Sequence, residues 1–127
     1  MVRRPDRAGP RARVLILDSR TRLVLEHMQD AIHDVRALLA GRGRAEFIAD
    51  RLCQRGVERC LEVISEASRQ LPVELKTAHP DIQWRNIAGI GNVLRHDYDE
   101  IDAGVIWQTA TVEIEPLAQL VLLLLAA

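Results

Sequence analysis

Apolar residues recur along this chain at alternating steps of three and four, and that spacing admits little besides helices packed on one another. Leu25, Met28, Ile32, Val35 and Leu39 form the first stripe, with Asp30, Asp34 and Arg36 elsewhere on the wheel. Val57, Cys60, Leu61, Ile64, Ala67 and Leu71 form a second; Trp84, Ile87, Gly91 and Leu94 form a third. Ile106, Ala110, Ile114, Leu117, Val121 and Leu124 complete the set. No segment alternates with period two for long, and aromatic residues are only 3% of the chain, so no sheet is expected. The fold class is all-α: an antiparallel bundle of four or five helices.

The breaks between stripes place the helix ends. Met1 to Arg13, with Pro5, Gly9 and Pro10, has no periodicity, so residues 1–17 are expected to be a flexible Arg-rich tail and 18–127 the bundle. The first helix starts near Ser19 and is stopped by Gly41-Arg42-Gly43. One helix is expected from about Ala45 to Gln70, where Gly56 marks a close contact or a kink. Pro72 ends it, Val73 to Lys76 adds a turn, and His79-Pro80 is an extended step. A shorter helix covers Gln83 to Arg95. Asp102 caps the last one, in which Pro116 removes the bond to the Val112 carbonyl and predicts a bend.

Composition narrows the setting. Hydrophobic residues are 48% and charged residues 28% of 127, with a net charge of −1, so no whole-molecule field gathers nucleic acid. The charge is uneven. Met1 to Arg13 holds five arginines and one acid, leaving 12 basic and 17 acidic groups on the rest, a net of −5. Cys53 and Cys60, seven apart on one helix, are separated by roughly 10 Å, too far for a disulfide within it. Two unpaired thiols suit a reducing compartment, and nothing has Cys/His metal-ligand spacing. The longest uninterrupted apolar run is Leu120 to Ala127, and the arginine-rich start lacks the apolar stretch of a signal peptide. The expectation is a cytoplasmic protein with no cofactor, no metal and no membrane span. The apolar end at Leu120 to Leu125 exceeds what one helix face buries and favours a homodimer interface or a bundle end.

One stretch departs from bundle logic: Trp84-Arg85-Asn86-Ile87-Ala88-Gly89-Ile90-Gly91-Asn92-Val93-Leu94-Arg95-His96-Asp97-Tyr98. Asn92 and His96, four apart, share a helix face, and Gly89 leaves that face open. Arg85 lies on the same stripe about 16 Å down the axis, and Arg95 adjoins His96 about 100° around the helix. An imidazole moves a proton near neutral pH, and amide and guanidinium groups hold phosphate. Tyr98 adds a phenol just beyond the helix. Spacing alone describes a helix C-cap with solvated neighbours more often than a site, and it also allows a Tyr98 packed on the bundle. His27 and His33 fall on different faces and read as surface residues, Trp84 and Trp107 as packing anchors, Cys53 and Cys60 as buried thiols.

From about Ser19 onward the chain resembles the HepT-like branch of the HEPN superfamily. The matching stretches are Leu25-Glu26-His27-Met28-Gln29-Asp30-Ala31-Ile32, Val57 to Ala67, His79 to Gly89, and Leu94-Arg95-His96-Asp97-Tyr98-Asp99-Glu100-Ile101-Asp102. The resemblance implies a dimerising helical bundle, the toxin of a type VII toxin–antitoxin pair whose antitoxin is a small MNT-type nucleotidyltransferase. It also implies metal-independent cleavage of RNA through a signature of Arg, four to six residues, His, any residue, Tyr. His96 and Tyr98 match that signature, and Asn92 matches the polar residue after the arginine. Gly91 stands where the arginine belongs. The resemblance therefore gives catalysis to His96 and Asn92, in an RNase weakened or silenced by Gly91; helix position adds Arg95 to the catalytic set and Arg85 as the phosphate-binding candidate. Tyr98 is then the AMPylation site used by the partner enzyme. The alternatives are a non-catalytic partner and AMPylation substrate of that enzyme, or a purely structural bundle.

Overall fold

The computed structural model describes residues 17–96 and 102–127. The expected tail lies outside them except for Leu17, which packs against the core. Helix α1 spans Ser19–Leu39, where Asp18 accepts the Thr21 N–H at 2.7 Å, and it ends at a turn in which Gly41 takes φ 75°. That left-handed backbone is what the Gly-Arg-Gly run supplies.

The single helix expected from Ala45 to Gln70 is two: α2 at Arg44–Ala49 and α3 at Arg51–Arg69. Asp50 divides them. Its backbone is extended (φ −115°, ψ 96°) and its carboxylate caps α3 by accepting the Cys53 N–H at 3.0 Å. The Gln54 amide closes the other side, donating to the carbonyls of Phe47 and Ile48 at 2.9 Å each. Local capping thus outcompetes an apolar periodicity that runs straight through. Gly56 proves to be a close contact, since a Cβ there would meet Leu38 Cδ1 at 3.0 Å.

Pro72 leads into α4 (Val73–Ala78), and α5 covers Trp84–His96. Asp102 caps α6 (Ala103–Gln108), accepting the Gly104 N–H at 2.8 Å. A π turn over Thr109–Glu113 then leads into α7 (Glu115–Ala126). That turn is where Pro116 is accommodated. The Ile114 N–H bonds back five residues to the Thr109 carbonyl, and Pro116 enters the first turn of α7, where a missing N–H costs least. The expected bend is thus a widened turn ahead of the proline.

Among the described residues every regular element is helical. Helix α3 sits centrally, packed on α1 and α5, while α1 also packs on α7 and α2 on α6. Met28, Phe47, Val57, Ile64 and Leu117 are fully buried at the centre. The rod Ala103–Ala126 is long and apolar enough, by length and composition, to cross a membrane, although no single uninterrupted run in it is. Its stripe of Ile106, Ile114, Leu117, Val121 and Leu124 is the core wall, each at most 2% exposed. Leu122 and Leu123 face outward, so the apolar end is only half used by the bundle.

Three carboxylates secure these ends. The Thr21 N–H holds Asp18 below the usual carboxylate range, the Cys53 N–H does the same for Asp50, and the Gln119 amide for Glu115. A carboxylate whose folded pKa is depressed stabilises the fold above the unfolded value and loses that contribution as pH falls through the folded one. Thermal melts are therefore expected to be flat between about pH 7 and 5 and to fall below about pH 4. Asp50→Asn keeps a capping oxygen without a titrating group, so it should shrink the acid limb. An acid limb unchanged in that variant would contradict the assignment.

Candidate functional site

Helix α5 carries the candidate residues. Asn92 and Arg85 are exposed on it, and His96 ends it three turns beyond Arg85. Tyr98 and Asp97 lie outside the described residues. Arg85 and Gly89 border a cleft of about 550 Å³ between α5 and α6, whose walls include Asn86, Val93, Val105 and Thr109. The structure thus sets Arg85 and Gly89, from the face that also bears Asn92 and His96, on the edge of a concavity. Sequence spacing gave the face. It gave no hint of the cleft, which depends on how α6 folds back after Asp102.

Gly89 leaves its side of the cleft open, since a Cβ there would meet nothing within 4 Å. Glycine in a helix interior costs about 0.5–1 kcal/mol relative to alanine. Gly89→Ala is therefore expected to stabilise the protein by about that amount, read as a higher melting temperature. A lower one would mean that α5 needs the glycine's backbone freedom.

Gly91 is a different case. It is buried, and its N–H donates to Ser65 Oγ on α3 at 3.1 Å. Ser65 donates in turn to the Ala88 carbonyl at 2.9 Å, and Ser68 Oγ to the Ser65 carbonyl at 2.7 Å. A second donor reaches the same Ala88 oxygen: Arg69 Nη1, also from α3, at 2.7 Å. Periodicity passed over this contact because all three are polar: Ser68 interrupts the apolar stripe, and Ser65 and Arg69 lie to one side of it. The available signal was the four-residue spacing of Ser65 and Arg69, which puts both on one face of α3.

The other histidines, the tryptophans and the cysteines lie as follows. His27 and His33 are exposed on α1. Trp84 is half-buried, its indole N–H donating to the His79 carbonyl at 3.0 Å, and Trp107 packs on Phe47. Cys53 is buried and Cys60 half-buried, where burial pushes the Cys60 thiol upward and makes it a poor nucleophile. Among the described residues, no three His, Cys, Asp or Glu side chains are grouped to hold a metal ion.

Comparison with known proteins gives the chain's family. Residues 28–124 match the family described as "Ribonuclease HepT-like". The chain is 34% identical over 93 residues to "Probable ribonuclease HepT" of Thermococcus cleftensis, covering 73% of this chain and 84% of that protein. Two proteins named "Putative RNase" are similarly related. One, from Methanocaldococcus jannaschii, is 34% identical over 72% of each chain. The other, from Caldanaerobacter subterraneus subsp. tengcongensis, is 32% identical over 73% of this chain and 83% of its own. No solved structure matches the chain.

Proposed function

Because this chain belongs to the HepT-like ribonuclease family, we propose that it cleaves RNA on the α5 face that ends in His96. The observation that carries this reading is the exposure of Asn92, one turn before His96, on a helix whose Arg85 and Gly89 edge an open cleft. His96 transfers the proton, and Asn92, with Arg95 or Arg85, holds the phosphate. Gly91 itself supplies neither charge nor side-chain donor, so turnover is slow unless another group brings the cation. Loss of a comparable cation costs about 10³–10⁵ in rate in phosphoryl transfer. RNA cleavage by wild type and His96→Ala, assayed side by side, tests the reading. Equal rates overturn it.

We further propose that the chain is the toxin of a type VII pair and works as a cytoplasmic homodimer. Val93 and Val105 on the cleft walls, and Val112 on the π turn, are all more than half exposed, and a second copy would cover them. Light scattering at micromolar concentration should return the mass of two chains. The mass of one would overturn the dimer.

Gly91 also favours a second reading, a cleavage-poor partner of a small nucleotidyltransferase. In it the Tyr98 phenol oxygen attacks the α-phosphorus of ATP, pyrophosphate leaves, and the phenolic proton is lost to solvent. The added AMP brings negative charge to the place where RNA phosphate would lie. Intact-mass measurement after incubation with a small MNT-type nucleotidyltransferase and ATP should show AMP increments that vanish in Tyr98→Phe. Increments that persist put the modification elsewhere.

A further inference from the structure

Helical side chains lean toward the N-terminus, so a residue covers the surface over the turn before its own Cα. An arginine at position 91 would therefore lay its guanidinium over the turn that begins near Ala88. That place is taken. Arg69 Nη1 donates to the Ala88 carbonyl at 2.7 Å, and the oxygen it bonds also accepts from Ser65, whose Oγ receives the Gly91 N–H at 3.1 Å. Arg69 thus ends within one helical turn of Gly91, on the side of α5 that faces α3.

We propose that Arg69, brought in from α3, supplies the guanidinium that the signature gives to residue 91, and that it holds the RNA phosphate. The proposal rests on the ribonuclease reading and deepens it by naming the cation. Three features support it. The Arg69 side chain is 38% exposed, so solvent and an RNA strand reach it. A guanidinium carries five N–H donors, and the Ala88 carbonyl and the Glu66 carboxylate at 2.5 Å take only one each of those that face the protein. The exposed pair with Glu66 is a weak anchor, easily shared with a phosphate, whereas the bond to the α5 backbone fixes the guanidinium's position. Along the helix axis the Ala88 residue on which Arg69 docks lies about 12 Å from His96, against about 16 Å for Arg85. Glycine at 91 and arginine at 69 are two halves of one arrangement: the absent side chain leaves the surface that the other occupies.

The test uses the full chain and a fluorescent RNA oligonucleotide, measuring cleavage, binding across 50–200 mM salt, and thermal melting for each variant. Arg69→Gln is expected to lower cleavage roughly tenfold or more and to reduce the salt slope of binding by about one. Arg69→Lys should keep the salt slope and part of the rate. Arg59→Gln, an arginine on the same helix that pairs with Glu62, should change neither. Gly91→Arg should raise cleavage by a larger factor in Arg69→Gln than in wild type, because two guanidiniums compete for one place. If Arg69→Gln matches wild type while His96→Ala is dead, the proposal falls and the ribonuclease reading stands. If Arg69→Gln loses activity only in proportion to lost folding, with its salt slope unchanged, Arg69 is a structural tie between α3 and α5 and the proposal falls. A wild type that neither binds nor cuts RNA overturns both.

Discussion

Replacing His96 with alanine is expected to lower RNA cleavage by about 10²–10⁴, the usual worth of a positioned general acid or base. The expectation follows from chemistry at the end of α5. His96 is the one group there whose unperturbed proton equilibrium lies near physiological pH, and Asn92 sits one turn before it on an exposed helix face. The last turns of that helix are held to the bundle by the Gly91–Ser65 bond and the buried Leu94. Thermal melting of the alanine variant, measured beside its rate, separates lost chemistry from lost folding. A large loss of rate with intact folding is the expected pair of results. A variant that cuts at the wild-type rate would remove His96 from the mechanism.

The largest structural effect is expected at Phe47. Its side chain is 0% exposed, the one buried residue on the six-residue helix α2, and its ring packs on Trp107 with centroids 5.6 Å apart. A helix that short has no stability of its own, so α2 holds its place through this anchor, the Gly43 N–H donating to Glu46, and the Asp50 N–H donating to the Phe47 carbonyl. Phe47→Ala removes a ring from a filled interior and should cost about 3–5 kcal/mol. That is a large share of the roughly 5–15 kcal/mol typical of a domain. Denaturant unfolding should show a much lower midpoint, and α6, which Trp107 ties to α2, should loosen with it. A loss under about 1 kcal/mol would mean that neighbouring side chains refill the space.

The stripes that sequence periodicity exposes became the core almost residue for residue: Leu25, Met28, Ile32 and Val35 on α1, and Ile106 to Leu124 on the last rod, are buried. They were legible because burial against a neighbouring helix is the only arrangement that hides such a stripe. What periodicity missed were places where a single polar group redirects the backbone. Asp50 and Gln54 cut one expected helix into two, and Pro116 is met by a π turn at Thr109–Glu113 instead of a bend. Hydrogen bonds of that kind leave no periodic trace. The α5 face was legible from the spacing of Arg85, Gly89, Asn92 and His96, whereas the cleft beside it and the Ser65–Arg69 contact with α5 are tertiary facts. A missing arginine at 91 is visible in sequence. An arginine arriving from another helix is not.

The claim that this face cuts RNA is tested most directly by incubating the wild-type chain, in EDTA, with a single-stranded RNA oligonucleotide and with its all-deoxy counterpart. Cleavage of the RNA alone, resolved by length on a denaturing gel, is the expected result, because the 2′-hydroxyl is the group that separates the two substrates. RNA left whole, or RNA and DNA cut alike, would contradict it.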